Sequence, residues 1–314
     1  MKPHYGAGVV GHISRRLPSR RWQASYWLGK ILGSRAPFVG RFHDGLIEVH
    51  PDEVASCASF FVGFYEREVT IWCRELLRRD PPDLVVDVGA NFGYYPLLFG
   101  LLTGGKTRSI AFEPDPSNFQ WLARNVALNP GLDVTTVASA VGSLDDAAVA
   151  FATPEPGRSL WAKVASEGAG GGRVGGTVDV PVTTLDTDLD RRGIGRVPLT
   201  LIDVEGFEGE VLEGMARGLA EHRYQRVLVE FHPWAFEADA LERIARRVVD
   251  AGYRGYRFRH LETPVPDKDP SYFRLRYDDS ILGPLTFDRM TDWEHFLFEA
   301  EEETGPGRPA PGQD

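Results

Sequence analysis

Acidic side chains close one short apolar run after another in this chain, and glycines follow two of them. Leu84-Val85-Val86-Asp87-Val88 runs into Gly89-Ala90-Asn91-Phe92-Gly93. The run from Arg108 to Phe112 ends in Glu113 and Pro114. Later runs end in Asp203-Val204-Glu205-Gly206-Phe207-Glu208 and in Glu230-Phe231-His232. Glycines in the first loop let the backbone turn tightly and let a ligand approach closely. A dinucleotide turn reads G-x-G-x-x-G and seats a pyrophosphate on a helix N-terminus. This loop reads D-x-G-x-x-x-G and lacks the middle glycine that makes room for a diphosphate. A ligand without phosphate fits it better. Asp87 suits the positive amino group of a methionine moiety, and Glu113 suits the paired hydroxyls of a ribose. Together they point to S-adenosylmethionine.

Methyl transfer from a sulfonium needs alignment and the exclusion of water. A hydroxyl acceptor also needs a general base. The candidates are Asp203, Glu205 and His232, with Glu208 and Glu230 beside them. Asp203 and Glu205 alternate along a strand end, so they are expected to face different ways. Either acid could instead favour the start of the helix near Phe207. His232 titrates near neutral pH when unperturbed, which suits a base. Carboxylates gathered here would raise at least one pKa. No dedicated ligand spacing is present, so no metal is expected.

These residues need a scaffold that brings strand ends together. Strands are expected at 84–88, 108–112, 134–138, 199–204, 226–231 and 253–258. Helices are expected at 60–77, 92–102, 116–127, 208–220, 240–251 and near Trp293 to Ala300. Segments 148–151 and 178–182 read as a β-hairpin pair, with a glycine-rich loop at 168–176 between them. Strands alternating with helices imply an α/β, Rossmann-like, mostly parallel sheet flanked by helices. Ligands in such sheets bind beyond the carboxyl ends of the strands. The domain is expected over 60–303, after a basic, partly helical N-terminal extension (1–59) and before a tail (304–314) rich in Gly and Pro.

The motifs together resemble the FkbM family of methyltransferases, which have the class I S-adenosylmethionine-dependent fold. The resemblance rests on Tyr65-Glu66, Val86 to Tyr95, Phe112 to Pro116 with Asn118 and Asn125, and Thr184-Leu185-Asp186. It continues through Ile202 to Glu208, Val211-Leu212-x-Gly214, and Leu228 to His232. It implies that Gly89, Ala90, Asn91 and Gly93 wrap the methionine end, with Asp87 at its amino group. Glu113 and Pro114 would hold the ribose, Ala140 and Val141 would lie by the adenine, and Asp203 would border the cofactor. The implied reaction is O-methylation of a hydroxyl on a sugar or polyketide-like natural product. One departure is Leu201, where the family often has lysine. That departure keeps a catalytically silent cofactor-binding protein as an alternative, beside a nicotinamide-dependent oxidoreductase.

Composition limits the partners. The 314 residues carry a net charge of -10, which gives no general attraction for nucleic acid. Positive charge gathers before residue 42, in Lys2, Arg15, Arg16, Arg20, Arg21, Lys30, Arg35 and Arg41, with no acid among them. This arm reads as solvated, and it also suits peripheral contact with an anionic membrane. No run is long and apolar enough to span a bilayer. Ser14-Arg15-Arg16 lacks the sequel of an export signal. Cys57 and Cys73 read as buried thiols in a cytoplasmic protein. Trp161, Trp234, Phe236, Tyr272, Phe273 and Trp293 are candidates for an acceptor pocket.

Overall fold

The computed structural model describes residues 36–51, 53–154, 163–164, 174–232, 235–236, 240–259, 277, 279–286 and 294–301. The basic arm up to Arg35, the tail after residue 301, and Trp161, Trp234, Tyr272, Phe273 and Trp293 lie outside the described residues. So does most of the glycine-rich loop.

The chain opens with the strands β1 (Phe38–Phe42) and β2 (Gly45–Val49) and the helices α1 (Val54–Phe61) and α2 (Arg67–Arg79). The alternating part begins with β3 (Leu84–Val88), α3 (Tyr94–Leu102), β4 (Arg108–Phe112), α4 (Pro116–Ala127) and β5 (Val134–Val137). A small second sheet follows: β6 (Ala140–Val141), β7 (Ala147–Pro154), β8 (Lys163–Val164) and β9 (Val174–Thr183). The rest comprises α5 (Leu185–Arg191), β10 (Leu199–Ile202), α6 (Glu208–Glu213), α7 (Ala216–Ala220), β11 (Arg226–Phe231), α8 (Ala240–Asp250), β12 (Tyr253–Phe258), β13 (Leu282–Pro284) and β14 (Glu294–Ala300).

Eight strands build the main sheet in the order β13-β12-β14-β11-β10-β3-β4-β5. From β11 to β5 neighbouring strands are parallel, as the alternating pattern requires. All five residues of β3 are buried, because apolar layers cover both sheet faces. Val86 and Val88 pack on one side with Leu189, Val211, Met215 and Val248. Val85 packs on the other with Ile71, Cys73, Leu97 and Leu98. The chain winds outward from β3 to β4 and β5, then returns to β10 on the other side of β3. This reversal leaves a crevice at the carboxyl ends of β3 and β10. The expected hairpin pair is β7 and β9, which are antiparallel.

Three expectations differ from the structure. The segment near Trp293 to Ala300 is the strand β14, not a helix; it lies antiparallel between β11 and β12. Trp293, Phe296, Leu297 and Ala300 have helical spacing, but Phe296, Leu297 and Phe298 are all buried, as suits an interior strand covered on both faces. The helix expected at 60–77 is two, α1 and α2, parted where Gly63 and Glu66 take positive φ. The helix expected at 208–220 breaks at Gly214-Met215 into α6 and α7. In addition, Phe42, Ile47, Val49 and Cys57 share the core with β3. The packed unit therefore reaches back to β1, well before residue 60.

Asp186, one of the residues that carry the resemblance, is a structural tie. It is buried, and its carboxylate accepts from Tyr224 Oη at 2.7 Å and from the Gly218 amide at 3.0 Å. Asp186→Ala leaves both donors buried without partners, and the expected loss is about 3 kcal/mol of unfolding free energy. Urea unfolding measures it, and a loss below about 1 kcal/mol, the size of one ordinary hydrogen bond, would contradict the assignment.

Candidate active site

The loop after β3 is built around close backbone approach. Gly89 has φ +89°, and a Cβ there would lie 1.8 Å from the Asp203 carbonyl oxygen. The Gly89 and Ala90 amides donate to Phe112 O, and the Asp203 amide donates to Val88 O. These bonds stitch the loop to both neighbouring strands. Asn91 takes a left-handed conformation, φ 50°. Gly93, at φ +92°, begins α3, and a Cβ there would meet Leu122 at 2.6 Å. Gly93 thus shapes the turn from beneath and is not among the cleft-lining residues, unlike Gly89, Ala90 and Asn91.

Glu113 joins this loop to the next. One carboxylate oxygen accepts from the Asn91 amide at 2.7 Å and the other from the Asp115 amide at 2.8 Å. Asp115 in turn caps α4 by accepting from Ser117 and Asn118 amides. Burial lifts Glu113 to about 7, against the pull of those amides. Asp87 is 3% exposed, and its Oδ2 has no hydrogen-bond partner. Burial first, then the charges of Glu113 and Glu66, raise it to about 8.

Two clefts meet at this point. A cleft of about 640 Å³ is lined by Glu113, Pro114, Asn118, Ala140, Val141 and Phe207. A second, of about 1130 Å³, is lined by Tyr65, Glu66, Asp87, Ala90, Tyr95, Leu201, Glu230 and His295. Gly89, Asn91, Asp203 and Glu205 line both. The first cleft combines the Glu113 carboxylate with apolar side chains, Val141 and Phe207 among them. The second is acidic.

A histidine lies behind the seam. His232 is buried, and its Nδ1 lies 2.7 Å from Glu208 Oε1. Glu208 is itself buried at the start of α6 and accepts from the Gly206 amide at 2.9 Å. With Nδ1 donating to Glu208, Nε2 faces the two acids of the seam, 3.6 Å from Glu205 Oε2 and 3.9 Å from Asp203 Oδ1, and His232 itself lines neither cleft. Burial works against a charged imidazole, but the Glu208 bond and the surrounding carboxylates outweigh it, so the His232 pKa is raised. Asp203 is pushed well above the usual carboxylate range by burial and by Glu230, Glu66 and Glu205.

Asp203 and Glu205 do not face opposite ways as their alternation suggests. Both lie beyond the end of β10, and Glu205 has φ 54°, which turns its side chain back toward His232. Neither caps α6, whose preceding residue is Phe207. Phe236 packs beside Gly209 and the core, away from the clefts.

Sequence reasoning gave no role to Glu66, Tyr95 or His295. Glu66 precedes α2 at φ 45° and accepts from the Tyr95 hydroxyl. His295 stands opposite Glu230 across β14 and β11, with Nε2 3.4 Å from Glu230 and 3.3 Å from Glu66. Burial would lower His295, yet those two carboxylates raise it to about 10. Pairing of Tyr65-Glu66 in the motif was a signal for one of them; His295 had none.

S-adenosylmethionine fits these residues by two observations. The Gly89 and Asn91 backbone lines both clefts, and the buried, unpartnered Asp87 Oδ2 suits a cationic donor such as the amino group of its methionine end.

Residues 87–255 match the methyltransferase FkbM domain. The chain is 27% identical over 150 residues to the hexuronic acid methyltransferase AglP of Haloferax volcanii, covering 48% of this chain and 56% of that protein. It is 29% identical over 178 residues to the methyltransferase sdnD of Sordaria araneosa, covering 67% of that protein. The chain therefore spans little more than half the length of the first relative. A solved precorrin-6y C5,15-methyltransferase from Geobacter metallireducens overlays at a TM-score of 0.38 with 12% identity, covering 75% of this chain and 87% of that one. With the domain match extending over more than half of its residues, the chain belongs to the FkbM methyltransferase family.

Proposed function

We propose that the protein is an S-adenosylmethionine-dependent methyltransferase that methylates a hydroxyl of a sugar or related small natural product. The observation that carries this reading is the seam: the Glu113 cleft and the acidic cleft share Asp203 and Glu205, and the buried His232 Nε2 lies behind them at 3.9 and 3.6 Å. Asp87 and the Gly89–Asn91 backbone hold the methionine end, Glu113 and Pro114 the ribose, and Ala140 and Val141 the adenine. When bound, S-adenosylmethionine supplies an activated methyl group. His232 accepts the acceptor's hydroxyl proton at Nε2, with Glu208 fixing the ring and stabilising the imidazolium. Glu205 lies beside Nε2 and, with Glu230, favours that positive charge. A hydroxyl is the acceptor that needs this base, and the sugar substrate of AglP makes a carbohydrate the first class to try.

No dinucleotide cradle competes with this reading, because the turn lacks the glycine a pyrophosphate requires. Nucleic acid is not an expected acceptor, since the second cleft is lined by acids. Among the described residues no helix is long and apolar enough to cross a membrane.

Transfer of a labelled methyl group to a panel of sugars and hydroxylated macrolides tests the reading. Asp203→Asn is expected to cut turnover by about 100-fold while leaving cofactor affinity nearly intact. Full activity in that variant would remove Asp203 from the chemistry.

A further inference from the structure

The acidic cleft holds a second constellation, joined to the His232 group through Glu230. Glu66 from the entry to α2, Glu230 from β11 and His295 from β14 each turn a ligand atom to one point, all within 4.8 Å of one another. The imidazole Nε2 is 3.3 Å from Glu66 Oε2 and 3.4 Å from Glu230 Oε2. Charge-assisted hydrogen bonds close to about 2.7–2.9 Å. The two contacts of His295 are longer than that, and about 3.3 Å is also the edge between ligands that each sit about 2.0–2.2 Å from a shared tetrahedral ion. We infer that Glu66, Glu230 and His295 form a divalent-cation site of the transition-metal type in the acceptor cleft.

Two further observations support it. Six carboxylates and one histidine line this cleft, and no lysine or arginine does among the described residues. Asp87, 3% exposed and with an unpartnered Oδ2, looks into the same space. Carboxylates therefore outnumber the one imidazole in this cleft. One imidazole nitrogen with two carboxylate oxygens suits Mn²⁺ or Zn²⁺. Three protein ligands leave at least one position open, which distinguishes a working metal site from a closed structural one. The role follows from the transferase reading and rests on it: an ion there holds adjacent oxygens of the acceptor and eases loss of its hydroxyl proton. The site itself rests on geometry alone.

The test is a Mn²⁺ titration of chelator-stripped protein, without cofactor or acceptor, read by loss of the free-ion electron paramagnetic resonance signal. Wild-type protein is expected to take up one equivalent, and its spin-echo spectrum to show nitrogen coupling from a coordinated imidazole. Glu66→Gln and His295→Gln are expected to weaken uptake by at least about tenfold. Glu242→Gln, on the exposed face of α8, is expected to match wild type. No uptake by wild type at millimolar Mn²⁺ overturns the assignment. So does uptake without nitrogen coupling, or uptake unchanged in both site variants. The spin-echo arm needs only wild-type protein, so it stands even where a variant does not fold. Binding of S-adenosylhomocysteine, measured separately in chelator, reports on the transferase reading, so the two can fail independently.

Discussion

His232→Gln lowers kcat by ~100- to 10,000-fold, while S-adenosylhomocysteine affinity stays close to wild type. The expectation follows from where the imidazole is held. Glu208, fully buried, fixes Nδ1 and leaves Nε2 directed at Asp203 and Glu205, which line both clefts. Glutamine keeps an N–H for Glu208, so the buried carboxylate is not stranded, yet it cannot take up a proton. The base form of His232 is the working form, and its pKa is raised above 6.5 by the Glu208 bond and the nearby acids against the opposing effect of burial. Activity is therefore present above that raised pKa and is lost as pH falls through it, so the acid limb of the kcat profile lies above pH 6.5. The variant is expected to lose that limb. An unchanged profile together with full turnover would take His232 out of the mechanism.

The second large effect belongs to Gly89→Ala. The added methyl would lie 1.8 Å from the Asp203 carbonyl oxygen, and the alanine would need φ +89°. Neither strain has a flexible side chain to absorb it, because the clash is with backbone bonded to β3 through the Asp203 amide. The loop and the end of β10 must part, which moves the cofactor cradle and Asp203 together. Cofactor affinity is expected to fall by ~100-fold or more, as about 3 kcal/mol of backbone strain is relieved only by distorting the site. Calorimetry measures the affinity, and circular dichroism shows whether the sheet persists. A folded variant with wild-type affinity would mean that close approach of the two strand ends is irrelevant to binding.

How far the sequence foretold this site depends on how local each part is. Asp87, Gly89, Asn91 and Glu113 lie at the ends of adjacent strands, so apolar runs and turn residues were enough to place them. Ala140 and Val141 also lie in the first cleft. The seam was only half legible. Alternation placed Asp203 and Glu205 apart, but the positive φ at Glu205 is a tertiary choice, and it brings both acids to His232. The Glu208–His232 bond joins residues 24 apart that no periodicity links. The Glu66, Glu230 and His295 group was illegible for a further reason. It depends on β14 lying antiparallel beside β11, while the spacing of Trp293, Phe296, Leu297 and Ala300 suggests a helix. A strand buried on both faces loses the alternation that marks one, and so its histidine could not be assigned a neighbour.

The account stands or falls on what the first loop accepts. Calorimetric titration of wild-type protein with S-adenosylmethionine, and separately with NADH, decides it, with Glu113→Ala as the companion. Saturable heat is expected from S-adenosylmethionine and none from NADH, with affinity weakened by ~1–3 kcal/mol in the variant through lost charge-assisted bonds. Uptake of NADH by a protein indifferent to millimolar S-adenosylmethionine would contradict it.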